Sequence, residues 1–181
     1  MPRKTKLLDE SGLMDYAVRI LGGRAYSLGE VREKLRRRAA NAGEVDGVLT
    51  RLKEAGYVND RQFAEGFAAG RLENAGFGKM RVLRDLRQRR VAPKLAEQVV
   101  EQTYRGADEA QLIDDFLKRK YRGKQLPQFL ADEKNLAAAY RRLRYAGFSA
   151  GGSIRVLKQY ASRADELEDH AEDDAPRDAE E

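Results

Sequence analysis

A chain of 181 residues with 36% charged and 8% aromatic residues, no Trp and four Pro has room for one domain or several small helical modules. With no Cys and a single His, His170, it excludes a disulfide framework, thiolate chemistry and a zinc site. The net charge of +5 is unevenly placed: residues 162–181 hold ten acidic and two basic side chains, which leaves +13 on residues 1–161.

In chain order, residues 1–10 have basic side chains but no apolar h-region, and are expected to be a loose, disordered N-terminus. No later stretch approaches the length and apolarity of a membrane span, so the expected location is cytoplasmic. The spacing predicts a first helix over 13–23, with Tyr16, Ala17, Ile20 and Leu21 inward and the Gly22-Gly23 pair as its end. Ser27 and Glu30 make a capping box, after which Leu28, Val31 and Leu35 share one helical face. Asn41 with Glu44 repeats the cap signal before the stripe Val45, Val48, Leu49 and Leu52. Gly56 is placed as a left-handed helix stop, with Tyr57 folded back onto the last turn. Asn59 and Gln62 then open a helix over 60–74, with Phe63, Phe67 and Leu72 as its core. Helices over 78–90 and 93–104 follow, the second started by Pro93. Asp108 opens a helix to Tyr121, and 122–135 reads as an irregular loop with one helical turn at most. Helices over 136–146 and 149–160 close the body, the last weakened by Gly151 and Gly152. No stretch alternates with period two, so no sheet is expected.

Sliding the chain along itself finds the same unit again. A gapless shift of 51 lays Val31, Leu35, Val48 and Leu49 on Val82, Leu86, Val99 and Val100. A further shift of 57 lays Leu86 on Leu143, Val91 on Phe148 and Val100 on Leu157. Self-similarity at a fixed offset marks a repeat architecture. The expected fold is therefore all-α: three tandem three-helix modules at 11–58, 59–106 and 107–161, about nine helices, in an elongated, curved, solenoid-like array. The acidic run 162–181 is too polar to offset its ordering entropy and reads as a disordered tail that either lies over the basic body and can be displaced from it or only solubilises the chain and touches nothing.

No constellation supports catalysis. The lone His sits in the acidic run, no Gly-rich loop leads into a Lys and Ser/Thr helix, and Asp114-Asp115 belong to a solvated helix face. No enzyme activity, cofactor or metal is expected. What stands out is basic. Walking at 100° per residue from the buried Leu35, Leu86 and Leu143 puts Arg36, Arg87 and Arg144 at one equivalent position. Arg84 and Arg141 lie about 160° round on that flank and Arg32 about 60° round. Guanidinium groups on one edge suit bidentate contact with phosphate or carboxylate.

Tyr26-Ser27, Glu30-Val31, Lys34-Leu35, Val48-Leu49, Leu52, Gly56-Tyr57-Val58-Asn59-Asp60, Phe63-Ala64, Phe67 and Arg71 together resemble the RecX family of recombination regulators. The resemblance spans roughly 13–161 and is most specific at Gly-Tyr-Val-Asn-Asp-x-x-Phe-Ala, where Gly56, Tyr57, Asp60 and Phe63 form an expected structural hinge between modules. It departs at Ala39-Ala40 and at Gly151-Gly152. It implies three tandem three-helix repeats and a non-enzymatic, monomeric protein. Such a protein binds the RecA recombinase filament on DNA and inhibits strand exchange, ATP hydrolysis and co-protease activity. Weak, unspecific binding of single- and double-stranded DNA is implied as well. The competing reading from the residues is a duplex-DNA-binding helix-turn-helix protein, because three-helix units with tight turns have that form.

Overall fold

Capping chemistry sets where the helices begin. In the computed structural model, which describes residues 7–167, helix α1 spans Glu10–Leu21, α2 Leu28–Arg36, α3 Glu44–Glu54 and α4 Asp60–Gly70, which continues into a π-helical turn at Arg71–Ala75. Helix α5 follows at Lys79–Gln88, α6 at Pro93–Tyr104, α7 at Glu109–Lys120, α8 at Leu126–Leu130, α9 at Glu133–Tyr145 and α10 at Ala150–Lys158, before a 3₁₀ turn at Ser162–Leu167. The chain is all-helical, and the one β contact among the described residues is an isolated parallel bridge between Leu8 and Ala39. Among the described residues ten α-helices stand where about nine were expected; the addition is α8. The described residues divide into two compact units, 7–69 with 83–103 and 70–82 with 104–167.

In the first unit, α1, α2 and α3 enclose a core of Leu13, Ala17, Val31, Leu35, Val45, Val48, Leu49, Leu52 and Val58. Each Val or Leu among them gains about 1.5–3 kcal/mol from burial. The capping box is present: the Ser27 hydroxyl accepts from the Glu30 amide at 3.0 Å, and the Glu30 carboxylate from the Ser27 amide at 3.2 Å. Asn41 does not cap α3. Its side chain accepts from the Gly43 amide at 3.0 Å, so it closes the preceding turn, and Gly43 is the N-cap. Gly56 does end α3 in the left-handed region, at φ 74°, and the Tyr57 amide returns to the Leu52 carbonyl at 2.9 Å. The side chain that folds back, however, is Val58, 4% exposed, because Tyr57 points outward and is 54% exposed. On α4 the buried residues are Ala64 and Ala68, and Phe63 and Phe67 are only half-buried.

Residues 7–10 are ordered, contrary to the expectation of a loose segment over 1–10. The Leu8 amide donates to the Arg38 carbonyl at 2.7 Å, the Ala40 amide to the Leu8 carbonyl at 2.8 Å, and Asp9 caps α1. Half-buried Leu8 packs against the α1–α3 core, which gives the segment a reason to stay.

In the second unit, α7, α8, α9 and α10 surround Ile113, Leu117, Leu130, Leu143, Phe148 and Leu157. Phe148 is fully buried and meets Phe116 edge-on at 5.7 Å. The expected loop at 122–135 contains α8, whose Leu126 and Leu130 enter this core. The expected tail begins late: Ala161 and Ala164 are buried in the same core, so residues 162–167 belong to the body, while 168–181, with His170, lie outside the described residues. The weak first turn of α10 is anchored by Glu109, which accepts from the Ser149 amide at 2.8 Å and from its hydroxyl at 2.7 Å.

The repeat shifts also relate three helix ends. Arg38, Arg89 and Ala146 are equivalent, and each carbonyl takes a donor from a segment earlier in the chain: the Leu8 amide, the Ser27 hydroxyl and the Gly78 amide at 2.9 Å. Unfilled helix C-termini leave carbonyls without partners, and these docking contacts fill them. In the second unit the approach is closest. A Cβ on Gly78 would lie 2.2 Å from the Gly147 carbonyl oxygen, and one on Gly147, at φ 91°, 2.2 Å from the Arg81 amide nitrogen. Only glycine fits at either position.

Candidate protein and nucleic-acid interface

Within the first unit, Arg36, Arg84 and Arg87 are exposed, as the helical walk predicts. Arg32 is half-buried and pairs with Asp46 at 3.3 Å, and Arg87 pairs with Glu97 at 3.1 Å. Exposed pairs of this kind contribute about 0–1 kcal/mol and can be exchanged for an external anion. In the second unit Arg141 is exposed on α9, but Arg144 is not a surface anchor. It is half-buried and donates to the Phe148 carbonyl at 2.6 Å. Its angular position on α9 is as expected; the side chain runs along the axis to the Phe148 carbonyl in the turn that follows the helix.

The joint between α3 and α4 is built from Gly56, Asn59 and Asp60. Asn59 caps α4 by accepting from the Gln62 amide at 3.0 Å, and Asp60 accepts from the Leu28 amide at 2.6 Å, which ties α4 to the first turn of α2. Phe63 stands one turn on, its ring 6.1 Å from that of Phe67, and both line an open groove with Arg24 and Arg89. Those two arginines converge on Glu30, at 3.5 and 3.0 Å. Glu33 is held below the usual carboxylate range, first by the hydrogen bond from Arg37 and next by the charge of Arg90.

Arginines stacked on rings are the feature that helix-face reasoning misses. Arg24 lies 3.6 Å over the Tyr26 ring, and Arg19 and Arg38 lie 5.6 and 5.1 Å from Tyr16. In the second unit, Arg81 is 4.7 Å over Tyr145 and 5.3 Å over Phe77, and Arg71 is 5.8 Å over Phe77. The i,i+4 pair Arg141–Tyr145 on α9 was readable from spacing alone; the approach of Arg81 was not, because the Gly78–Gly147 contact brings it. Elsewhere in this unit the Asp114 carboxyl is opposed by burial but lowered overall by hydrogen bonds from Lys118, at 2.5 Å, and from Tyr160. Burial, with the bond to Asp114 second, pushes the Tyr160 hydroxyl up to about 12; burial alone does the same for Tyr104. Among the described residues no three His, Cys, Asp or Glu side chains cluster as a metal site, and no helix is long and apolar enough to cross a membrane. The arrangement can bind anions and flat rings.

Two family descriptions match these segments: "RecX, first three-helix domain" over residues 14–52 and "RecX, second three-helix domain" over 59–100. Regulatory protein RecX of Trichlorobacter lovleyi is 34% identical over 132 residues, covering 73% of this chain and 80% of that protein. The chain belongs to the RecX family. The Deinococcus radiodurans relative, 35% identical over 157 residues, covers 84% of this chain and 70% of its own. A crystal structure of RecX from Lactobacillus salivarius shares the fold, with a TM-score of 0.63 at 15% identity over 83% of this chain and 96% of that one. Arg32, Arg36, Arg84 and Arg87 fall inside the two matched RecX domains, as do Asp60 and Phe63, whereas Gly56 and Tyr57 lie in the link between them.

Proposed function

We propose that this RecX-family chain is a cytoplasmic, monomeric regulator of homologous recombination and repair. It binds the filament of a RecA-type recombinase on DNA and inhibits ATP hydrolysis, strand exchange and co-protease activity. The observation that carries the reading is the exposure of Arg36, Arg84, Arg87 and Arg141 on α2, α5 and α9, equivalent helices of a repeated module in a regulatory family. Contacts of this kind are individually weak. Several on one chain raise one another's effective concentration, so that a long, periodic partner is held where a single protomer or a single phosphate is not. Three modules, at 11–58, 59–106 and 107–161, would bridge neighbouring protomers and resist the rearrangements of growth and turnover. Direct DNA binding is weak and unselective in this reading, with the acidic run at 162–181 competing for the basic surface.

The test is retention of the purified chain by recombinase, with and without single-stranded DNA and ATP. Strong retention only with the assembled filament is expected. Equal retention by naked duplex, with sequence preference, would replace the reading by a helix-turn-helix DNA binder.

A further inference from the structure

We infer that Tyr145, Arg81 and Arg141 form a stacking platform for an unpaired nucleic-acid strand. The inference deepens the filament reading by naming the strand that the second unit meets, and it can fail independently of it.

Tyr145 ends α9 and is 67% exposed, among the most exposed large apolar-bodied side chains of the chain. Leaving a tyrosine ring in water forgoes the burial energy that such rings usually gain, and the core of this unit has no need of it. The ring is nevertheless placed. The Met80 amide donates to the Gly147 carbonyl at 3.1 Å and the Gly78 amide to the Ala146 carbonyl at 2.9 Å, which seats the first turn of α5 on the end of α9. That seat puts the Arg81 guanidinium 4.7 Å from the ring centroid, covering one side. The exposure that remains leaves ring surface open to solvent beside it. Arg141, one turn back on the same face of α9, is exposed.

A ring backed by a cation and flanked by a second cation matches what an unpaired strand offers: a base face to stack and a phosphate on either side. A duplex hides its base faces in the helical stack and would use the arginines alone. An acidic protein surface would likewise use the charges and leave the ring idle. The charge around the site suits a polyanion. Residues 70–82 and 104–167 carry 16 basic and 9 acidic side chains, a net +7.

The experiment uses the full chain and three fluorescent probes of equal length: oligothymidylate, an abasic strand, and a duplex. Stacking on one aromatic ring makes Tyr145→Ala roughly tenfold weaker on oligothymidylate, with duplex and abasic binding unchanged. Tyr145→Phe restores binding, and Arg141→Ala weakens all three probes and flattens their salt dependence. Thermal melting of each variant confirms folding. The platform is overturned if Tyr145→Ala weakens the duplex as much as the single strand, if it weakens neither, or if wild type does not bind oligothymidylate. Inhibition of recombinase ATP hydrolysis by wild type, read in parallel, separates the two ideas: inhibition with a silent Tyr145 removes only the platform, and no inhibition removes the filament reading.

Discussion

The two units use arginine differently. In the first, Arg24 and Arg89 meet on Glu30, Arg37 and Arg90 on Glu33, and Arg32 faces Asp46. In the second, Arg119 and Arg144 donate to the carbonyls of Ala75 and Phe148 at 2.5 and 2.6 Å, and Arg81 lies against Phe77 and Tyr145. A carboxylate partner cancels the charge that it holds. A ring or a carbonyl orients a guanidinium without supplying an opposite charge.

The units differ in their joints as well, and glycine substitutions give the sharpest contrast. Gly147→Ala in the second unit puts a Cβ against backbone at a positive φ, and is expected to cost at least about 3 kcal/mol by denaturant unfolding. Gly56→Ala in the first has a similar φ, 74°, with nothing within 4 Å, and should cost only about 1–2 kcal/mol. Equal costs would mean that the close approach of α5 to α9 is not what holds the second unit.

Phe63→Ala probes the first unit next. A core Phe→Ala costs about 3–5 kcal/mol, but Phe63 is half-buried on a groove wall and should cost about 1–2. A full core-sized loss would place the ring inside the unit. The smallest effect is one of pH and belongs to the second unit, where Tyr104 and Tyr160 titrate near 12. Both are raised above the unfolded value of about 10, so their contribution is complete below pH 10 and lost as pH rises from there to 12. Asp114, lowered in the fold, acts oppositely: its contribution is present above the ordinary carboxylate value and lost as pH falls through the folded one. Chemical unfolding at pH 9 and 11.5 should show the loss, and Tyr160→Phe should reduce it.

Much of this was legible before the fold. Capping side chains at Ser27, Asn59, Asp108 and Ser149, and the stripes centred on Leu35 and Leu143, follow from local rules that the helices obey. Leu8 was not legible, because a one-residue bridge has no periodicity to read, and α8 was legible only as one helical turn in a loop, because five residues are too few for a stripe. The Arg36, Arg84, Arg87 and Arg141 positions were placed on exposed surface correctly. Arg144 was not, because periodicity gives a direction around the axis and says nothing of a long side chain that turns along it to an open carbonyl.

The central claim is that exposed arginines on equivalent helices hold a recombinase filament. The direct test is inhibition of recombinase ATP hydrolysis by Arg84→Glu with Arg87→Glu, and separately by Arg141→Glu, with Arg144 left intact because it ties α9 to the turn before α10. Folding should survive within about 0.5 kcal/mol per site. Each variant should inhibit roughly tenfold less well than wild type, since a lost contact also lowers the effective concentration of the rest. Two folded variants that inhibit like wild type would contradict the account and move the binding surface away from these helices.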